Sequence, residues 1–293
     1  MTFSTFLAIF PDNDSCLDYL KAKFYPDGSD CPNCGKTTKF HRIKERSCYS
    51  CQYCGHQVYP TSGTIFHKSS TSLQLWFWAI YLLSSTRCGI SAKQLEREIG
   101  VSYPTAHRMF KQIRSLLSDD DEPLGGAGTR VEVDETYVGG KRRGTPRGRP
   151  GKGSHKTTVF GMVERGGSVV AKIVPDVKLR TLIPEIEARV LPQTMIYSDE
   201  LSSYNSLEKV GYPHKRVHHT ARVYVDGDCH TNTIEGFWAL VKNGIRGVYH
   251  AVSAEYLQDY LNEYSFRFNR RDRGEPIFWA ILDRVRKPLS GDA

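Results

Sequence analysis

No long apolar run occurs in this chain of 293 residues. The longest, Leu73–Leu83, is well short of the about 20 apolar residues that a membrane-spanning helix needs. An integral membrane protein is therefore not expected. The apolar segment Met1–Phe10 has no basic leading stretch and runs straight into Pro11 and three polar residues, so no secretory signal is expected either. No internal repeat is present, which argues against a repeat protein.

Acidic residues are fewer than basic ones. The 32 Asp and Glu against 40 Lys and Arg give a net charge of +8, with a pI near 9.0. This balance favours an anionic partner, although basic surfaces also bind membranes and acidic proteins. The length suits two domains with a small third module, and 13 Phe, 16 Tyr and four Trp are ample for packed cores.

The eight cysteines include two CxxC pairs that predict a zinc site. Cys31 and Cys34 form the first pair, Cys51 and Cys54 the second, and each pair is followed by glycine, which relieves the tight turn. Four thiolates at this spacing suit tetrahedral Zn²⁺, and so small a ribbon needs the metal to fold. Cys48 offers a competing pairing with Cys51 but lacks the trailing glycine. Paired cysteines without a secretory signal indicate a reducing compartment, so we expect the prokaryotic cytoplasm, on the nucleoid.

A helix-turn-helix pattern follows the ribbon. Ser91–Ile99 and Ser102–Leu117 have helical patterns on either side of the turn Gly100-Val101, with Ser102 as a plausible N-cap. Ordinary packing of two amphipathic helices remains an alternative. In a DNA-binding module, the second helix would present the following polar residues to DNA: Ser102, Tyr103, Thr105, His107, Arg108, Lys111 and Arg114.

The second half of the chain alternates between strand and helix patterns. Strand Arg130–Tyr137 precedes a basic loop, Lys141–Lys156, which carries seven Lys and Arg and no acid. A mixed sheet with helices on its faces is expected. The remaining predicted elements are, in order, strands Thr157–Val163 and Val169–Val174, helix Thr181–Val190, strands Met195–Tyr197 and His214–His219, and helices Thr233–Asn243 and Tyr256–Arg271.

Three acidic residues lie at the ends of these elements. Asp134 is in the first strand, Asp199 follows the strand Met195–Tyr197, and Glu235 is on the helix after it. Three carboxylates can hold two Mg²⁺ ions about 3.5–4 Å apart, which clamps both oxygens of an in-line phosphoryl displacement. Glu132 shares a strand face with Asp134 and is an alternative to it, whereas Glu135 is expected to point away.

The remaining candidates flank these acids. Glu200 is the alternative to Asp199. Asn232, Glu235 and Lys242 lie on one face of the predicted helix, because three and seven residues are close to one and two turns. A carboxylate there could bind a metal while the lysine contacts a phosphate. An exposed helix with merely solvated charges is the alternative.

Both halves of the chain also contain a set of short motifs. They are CPNCG at Cys31–Gly35, Thr61–Phe66, Trp76, Gly89–Ala92, Asn232–Lys242, Arg246-Gly247, His250 and Phe266–Arg271. Together these motifs resemble bacterial insertion-sequence transposases of the branch with an N-terminal zinc ribbon. The resemblance covers roughly residues 30–272 and implies a ribonuclease-H-like DDE transposase. Such an enzyme binds the terminal inverted repeats of its element and performs Mg²⁺-dependent strand cleavage and strand transfer.

By this resemblance, Asp134 and Asp199 match the first and second catalytic acids. The third position has been read in the family both as the asparagine, here Asn232, and as a glutamate. We prefer Glu235, because a neutral amide cannot offset the charge of Mg²⁺, and because its spacing to Lys242 matches other DDE transposases. The implied cofactors are two Mg²⁺ (or Mn²⁺) ions per active site, besides structural Zn²⁺.

The implied partner is double-stranded DNA, both element ends and target, bound by a homodimer or higher assembly. The predicted domains are 1–66, an N-terminal helix with the zinc ribbon; 67–118, the helix-turn-helix; 119–128, a linker; and 129–293, the catalytic domain. A structure-selective nuclease of the same fold and an inactive DNA-binding regulator are the alternatives. The predicted DNA contacts are Tyr103, Thr105, His107, Arg108, Lys111, Lys141, Arg142, Arg143, Arg147, Arg149, Arg246, Arg267, Arg270 and Arg271.

Overall fold

The computed structural model describes residues 1–118, 122–139, 156–217 and 230–285. Among these residues, no helix combines the length and apolar character that crossing a bilayer requires. The chain divides into two compact units, Met1–Leu116 with Glu275–Ala293, and Leu117–Gly274. The predicted basic loop residues Lys141, Arg142, Arg143, Arg147 and Arg149 lie outside the described residues.

The first unit combines helices with a small ribbon. Helix α2 (Asn13–Phe24) begins at a capping box, in which the Asp12 carboxylate accepts a hydrogen bond from the Ser15 backbone N–H and the Ser15 hydroxyl accepts one from the backbone N–H of Asp12. The strands form a two-stranded and a three-stranded antiparallel sheet. The helices are α1 (Phe3–Ile9), α2 (Asn13–Phe24), α3 (Leu73–Ser85), α4 (Ala92–Ile99) and α5 (Tyr103–Ser115). The strands are β1 (Ser29–Asp30), β2 (Thr37–Thr38), β3 (Phe40–Arg42), β4 (Tyr49–Cys51) and β5 (Gln57–Val58).

The last described helix, α9 (Ile277–Asp283), belongs to the first unit. Phe278 is buried and lies 5.9 Å from Phe6, 5.8 Å from Phe10 and 6.4 Å from Phe77 between ring centroids. Aromatic burial of this kind is a large stabilising term. The prediction that 129–293 forms one domain therefore differs from the observed unit, which ends at Gly274.

The second unit is built on a five-stranded sheet. Its strands are β6 (Arg130–Val138), β7 (Thr157–Glu164), β8 (Val169–Ile173), β9 (Met195–Ser198) and β10 (His214–Arg216). They lie in the order β10-β9-β6-β7-β8. The strands β6, β7 and β8 are antiparallel neighbours, whereas β9 and β10 run parallel to β6 on its other side. This mixed sheet, with its first strand in the centre, confirms the predicted ribonuclease-H-like fold.

Helices cover both faces of this sheet. The helix α6 (Leu179–Arg189) packs on one face, where Leu182 and Ile186 are buried against Val131 and Val133. On the other face, α7 (Asn232–Gly244) and α8 (Ala254–Asn269) bury a second cluster. A π-helical turn, Ile245–Tyr249, follows α7.

The edge strand β8 is protected by side chains of α8. Asn269 accepts from the backbone N–H of Val169 at 2.7 Å and donates to its carbonyl at 3.1 Å. Gln258 accepts from Ile173 N–H at 2.9 Å and donates to the Ala171 carbonyl at 3.0 Å. These amides satisfy backbone groups that an exposed edge would offer to another chain.

Candidate functional site

The carboxylate group lies where β9 stops. The strand β9 pairs with Arg130–Glu132 of β6 and ends at Ser198, so Asp199 emerges beside the part of β6 that follows Glu132. There, Asp134, Glu135 and Asp199 each place a carboxylate oxygen within 4.8 Å of the others. The structure thus brings together the two predicted aspartates and adds Glu135.

The expectation that Glu135 points away from this site is wrong. Glu135 leaves the strand on the face opposite Asp134. In the described residues, β9 pairs with β6 only as far as Glu132, so the longer side chain of Glu135 reaches the group around this open edge. Two features of the sequence indicate this position of Glu135. It is adjacent to Asp134, and the predicted strand Met195–Tyr197 is too short to pair with the part of the first strand that carries both acids.

Burial and mutual repulsion perturb these acids. Burial, followed by the charges of Glu135 and Asp199, raises the pKa of Asp134 to about 8. Burial, followed by the charge of Asp199, raises the pKa of Glu135 to about 7. Carboxylates that repel one another in a desolvated site are relieved by protons or by divalent cations, and their hard oxygens are the ligands that Mg²⁺ prefers.

A hydrogen bond orients each acid. The Trp238 indole N–H donates to Asp134 Oδ2 at 2.9 Å, and the Tyr204 hydroxyl donates to Glu135 Oε2 at 3.0 Å. The backbone N–H of Leu201 donates to Asp199 Oδ1 at 2.9 Å. A carboxylate offers about four lone-pair directions, so one such bond leaves room for a cation.

Glu132, the alternative to Asp134, has a different role. Its side chain is fully buried and accepts from Arg165 Nε at 2.6 Å, Thr233 N at 2.8 Å and Ile234 N at 3.0 Å. The Thr233 hydroxyl also donates to it, at 3.0 Å. These donors use its lone pairs and hold the N-terminus of α7 against β6, so Glu132 is a structural carboxylate.

The predicted residues of α7 divide into two groups. Glu235 and Asn232 are exposed, and Glu235 accepts from the Thr231 hydroxyl at 2.8 Å. Among the described residues, the group of close carboxylates does not include Glu235. Lys242, two turns further on, is half-buried. Burial lowers its pKa, and the charge of Asp134 opposes that shift. The lysine is therefore within electrostatic reach of the acid group.

The four predicted zinc cysteines converge. Their sulfurs lie within 4.8 Å of one another, with 3.7 Å between Cys31 and Cys54 and 3.9 Å between Cys34 and Cys51. A tetrahedron of thiolates at a Zn–S distance of about 2.3 Å has sulfurs about 3.8 Å apart. Cys48 is outside this group, near Gln57. The donor set therefore fits structural Zn²⁺.

Helices α4 and α5 form on either side of the predicted turn Gly100-Val101. Gly100 ends α4 at φ 69°, the left-handed conformation that favours glycine. On α5, Tyr103, Arg108 and Lys111 are exposed, and Thr105 and His107 are half-buried. Arg114, expected to face DNA, is instead buried, with its guanidinium 5.2 Å from the Phe110 ring.

The C-terminal arginines of the second unit are not equivalent. Arg246 and Arg271 are exposed. The guanidinium of Arg270 stacks on the ring of Phe266, and that of Arg271 on the ring of Phe268. Arg267 is only 8% exposed and pairs with the fully buried Glu263 at 2.8 Å. The prediction that Arg267 contacts DNA is therefore corrected, because its guanidinium is buried in an ion pair with Glu263.

Comparisons with known proteins support one family. Residues 123–269 match the ISXO2-like transposase domain, and residues 11–57 match the transposase zinc-ribbon domain. The chain is 29% identical over 262 residues to an "uncharacterized protein in transposable element ISH50" of Halobacterium salinarum, covering 82% of this chain and 85% of that protein. An "uncharacterized transposase-like protein" of Haemophilus influenzae is 29% identical over 104 residues, covering 36% of this chain and 83% of that protein.

A solved structure is more distantly similar. The crystal structure of a pre-cleavage Mos1 transpososome aligns with 72% of this chain and 79% of its own at 12% identity, with a TM-score of 0.28. The family model covers half of the chain and contains the whole carboxylate group. The chain therefore belongs to the ISXO2-like transposase family.

Proposed function

We propose that this protein is the transposase of an insertion sequence, which binds the terminal inverted repeats of its element and catalyses strand cleavage and strand transfer. The observation that carries the proposal is the group formed by Asp134, Glu135 and Asp199 inside the transposase domain. Acids placed this close in a partly desolvated site are costly unless a cation offsets their charge.

The donor set fits Mg²⁺ or Mn²⁺. Asp134 and Asp199 would hold the ions, with Glu135 as the further carboxylate that the geometry favours. Glu235, preferred from the family resemblance, stays a prediction, as does Asn232. When bound, such ions supply Lewis acidity at the scissile phosphate and stabilise the attacking and leaving oxygens.

The other residues would bind and orient DNA. Lys242, near Asp134, would contact a phosphate next to the scissile bond. The exposed face of α5, with Tyr103, Arg108 and Lys111, would enter the major groove of the element end. Binding should weaken steeply as salt rises, because phosphate contacts release counterions.

The test uses short inverted repeats found on either side of the coding region. The full-length, zinc-loaded protein is incubated with a labelled repeat end, a target plasmid and Mg²⁺. We expect joined products, and we expect Asp134→Asn and Asp199→Asn to abolish cleavage while end binding persists. Cutting without joining would identify a nuclease, and binding without cutting a regulator. Normal cutting by Asp199→Asn would refute the proposed site.

The same assay decides the third acid. Glu135→Gln, Glu235→Gln and Asn232→Ala are compared with Glu187→Gln, an exposed acid on α6, as control. If the geometry reports the active arrangement, Glu135→Gln loses cleavage and Glu235→Gln retains it. The reverse pattern would restore Glu235 as the third acid, and loss only in Asn232→Ala would select the asparagine.

A further inference from the structure

The indole of Trp238 occupies a slot above the sheet that only glycine permits. In the register of β6 and β7, Gly161 is the partner of Asp134, so both residues face α7. A Cβ atom on Gly161 would lie 2.4 Å from Trp238 Cζ2 and 2.7 Å from Cη2. It would also lie 3.0 Å from Ile234 Cδ1. Contacts under 3 Å between non-bonded carbons are not tolerated, so the Trp238 indole fits here only because Gly161 has no side chain.

This slot brings the one polar atom of the ring to the acid. Neighbouring strands are about 4.8 Å apart, and the indole lies over Gly161 of β7 while its N–H reaches Asp134 on β6, at 2.9 Å. The ring is 3% exposed and packs within an apolar cluster, which fixes its orientation. The hydrogen bond is therefore preorganised rather than formed by a mobile side chain.

The chemistry of indole suits a positioning role. Its N–H only donates, carries no charge and is not a metal ligand, so it can hold one carboxylate oxygen without competing for a cation. Hydrogen-bonded partners of this kind orient ligands, and their loss commonly weakens metal affinity about 10–100-fold.

We propose that Trp238, admitted by Gly161, is a positioning residue that orients Asp134 for binding a divalent cation. The inference rests on the proposed function, because it assumes a metal site at Asp134 and Asp199. A purely structural Trp238 would stabilise α7 against β7 through its ring alone, and its N–H would then have no effect on metal affinity.

The decisive experiment removes the donor and keeps the ring. Trp238 is replaced by 3-benzothienylalanine, in which sulfur takes the place of the indole N–H. Mn²⁺ affinity of the full-length, zinc-loaded protein is measured by electron paramagnetic resonance without DNA. We expect affinity to fall about tenfold or more, with little change in thermal stability. The matched control is the same replacement at Trp76, a fully buried tryptophan of the first unit whose N–H donates to Ser69 at 2.9 Å.

A second variant tests the slot itself. Gly161→Ala keeps Trp238 and Asp134 but displaces the ring, and it should weaken Mn²⁺ binding as the analogue does. If Gly161→Ala fails to fold, the analogue alone decides.

The outcomes separate the two claims. Unchanged Mn²⁺ affinity in both Asp134→Asn and Asp199→Asn would overturn the proposed metal site. Weakened binding in those variants, with the Trp238 analogue within about twofold of the parent, would overturn the positioning role and leave the proposed function standing. An equal loss in the Trp76 control would also count against the positioning role.

Discussion

Replacing Glu132 by glutamine should destabilise the second unit strongly, although the two side chains have nearly the same shape. Oε2 of Glu132 accepts from the backbone N–H groups of both Thr233 and Ile234, and Oε1 accepts from Arg165 and from the Thr233 hydroxyl. Either orientation of a glutamine amide turns its own N–H groups toward these donors. It also removes the negative charge that pairs with the Arg165 guanidinium, whose side chain is only 16% exposed.

The size of this destabilisation depends on whether the lost hydrogen bonds or the broken ion pair contributes more. Hydrogen bonds to a charged group contribute about 1.5–3 kcal/mol each, but bonds to a single carboxylate do not add. Breaking a buried ion pair by removing one partner costs about 3–5 kcal/mol, and this is the value we expect. Glu185→Gln is the control, since Glu185 pairs with Lys172 at the surface and such pairs contribute at most about 1 kcal/mol.

Hydrogen exchange measured on the full-length protein reports this loss locally, because the opening free energies of β6 and α7 can be followed separately. Both elements should lose protection together in Glu132→Gln. A loss below about 1 kcal/mol, no larger than that of the control, would refute the account of Glu132 as the anchor of α7.

Three further predictions test other parts of the structure. By elemental analysis, the parent protein and Cys48→Ala should each contain one zinc per chain, whereas Cys51→Ala should contain none, because only Cys51 belongs to the Cys31, Cys34, Cys51 and Cys54 group. Burial, with the charge of Arg216, lowers the pKa of His214 from 6.5 to about 4 in the folded protein. As the pH falls, this histidine is therefore protonated in the unfolded chain before it is protonated in the folded one. Stability should therefore fall as pH drops from 6.5 toward about 4 in urea titrations, less so in His214→Gln. Arg267→Met removes the cation that pairs with the buried carboxylate of Glu263 and should cost about 3–5 kcal/mol of stability. It should leave the salt dependence of DNA binding unchanged; a shallower slope would restore Arg267 as a phosphate contact.

Local patterns in the sequence predict the elements of this fold well. The apolar alternation of β6 and the helical spacing of α8 depend on near neighbours along the chain, and both elements form within two residues of the predicted bounds. The CxxC spacing likewise brings its four sulfurs together, because each knuckle is a local turn and the partner sets are few.

Features that depend on distant packing are not predicted. Glu135 joins the acid group because β9 ends early, which concerns the length of another strand. Arg267 is buried because α8 buries residues beyond its apolar face. The helix α9 joins the first unit because Phe278 packs against Phe6 and Phe10 there. For Glu135 and Arg267 the residue type alone indicates a surface position, and for α9 the order along the chain indicates the second unit; tertiary contacts override both.

The three acids of β6 show how one strand can serve both structure and chemistry. Glu132 faces α7 and is saturated by the donors of its N-terminus. Asp134, two residues on and on the same face, meets Trp238 from the next turns of that helix, while Glu135 meets Tyr204 from the opposite side. Because Glu132 fixes the N-terminus of α7, the position of Trp238 along the helix axis is fixed, and its indole N–H is held level with Asp134. A shift of the helix by even one residue, about 1.5 Å, would break that hydrogen bond. The buried anchor is therefore coupled to the geometry of the partly buried group of Asp134, Glu135 and Asp199, and damage to it should weaken cation binding although Glu132 is not itself a ligand.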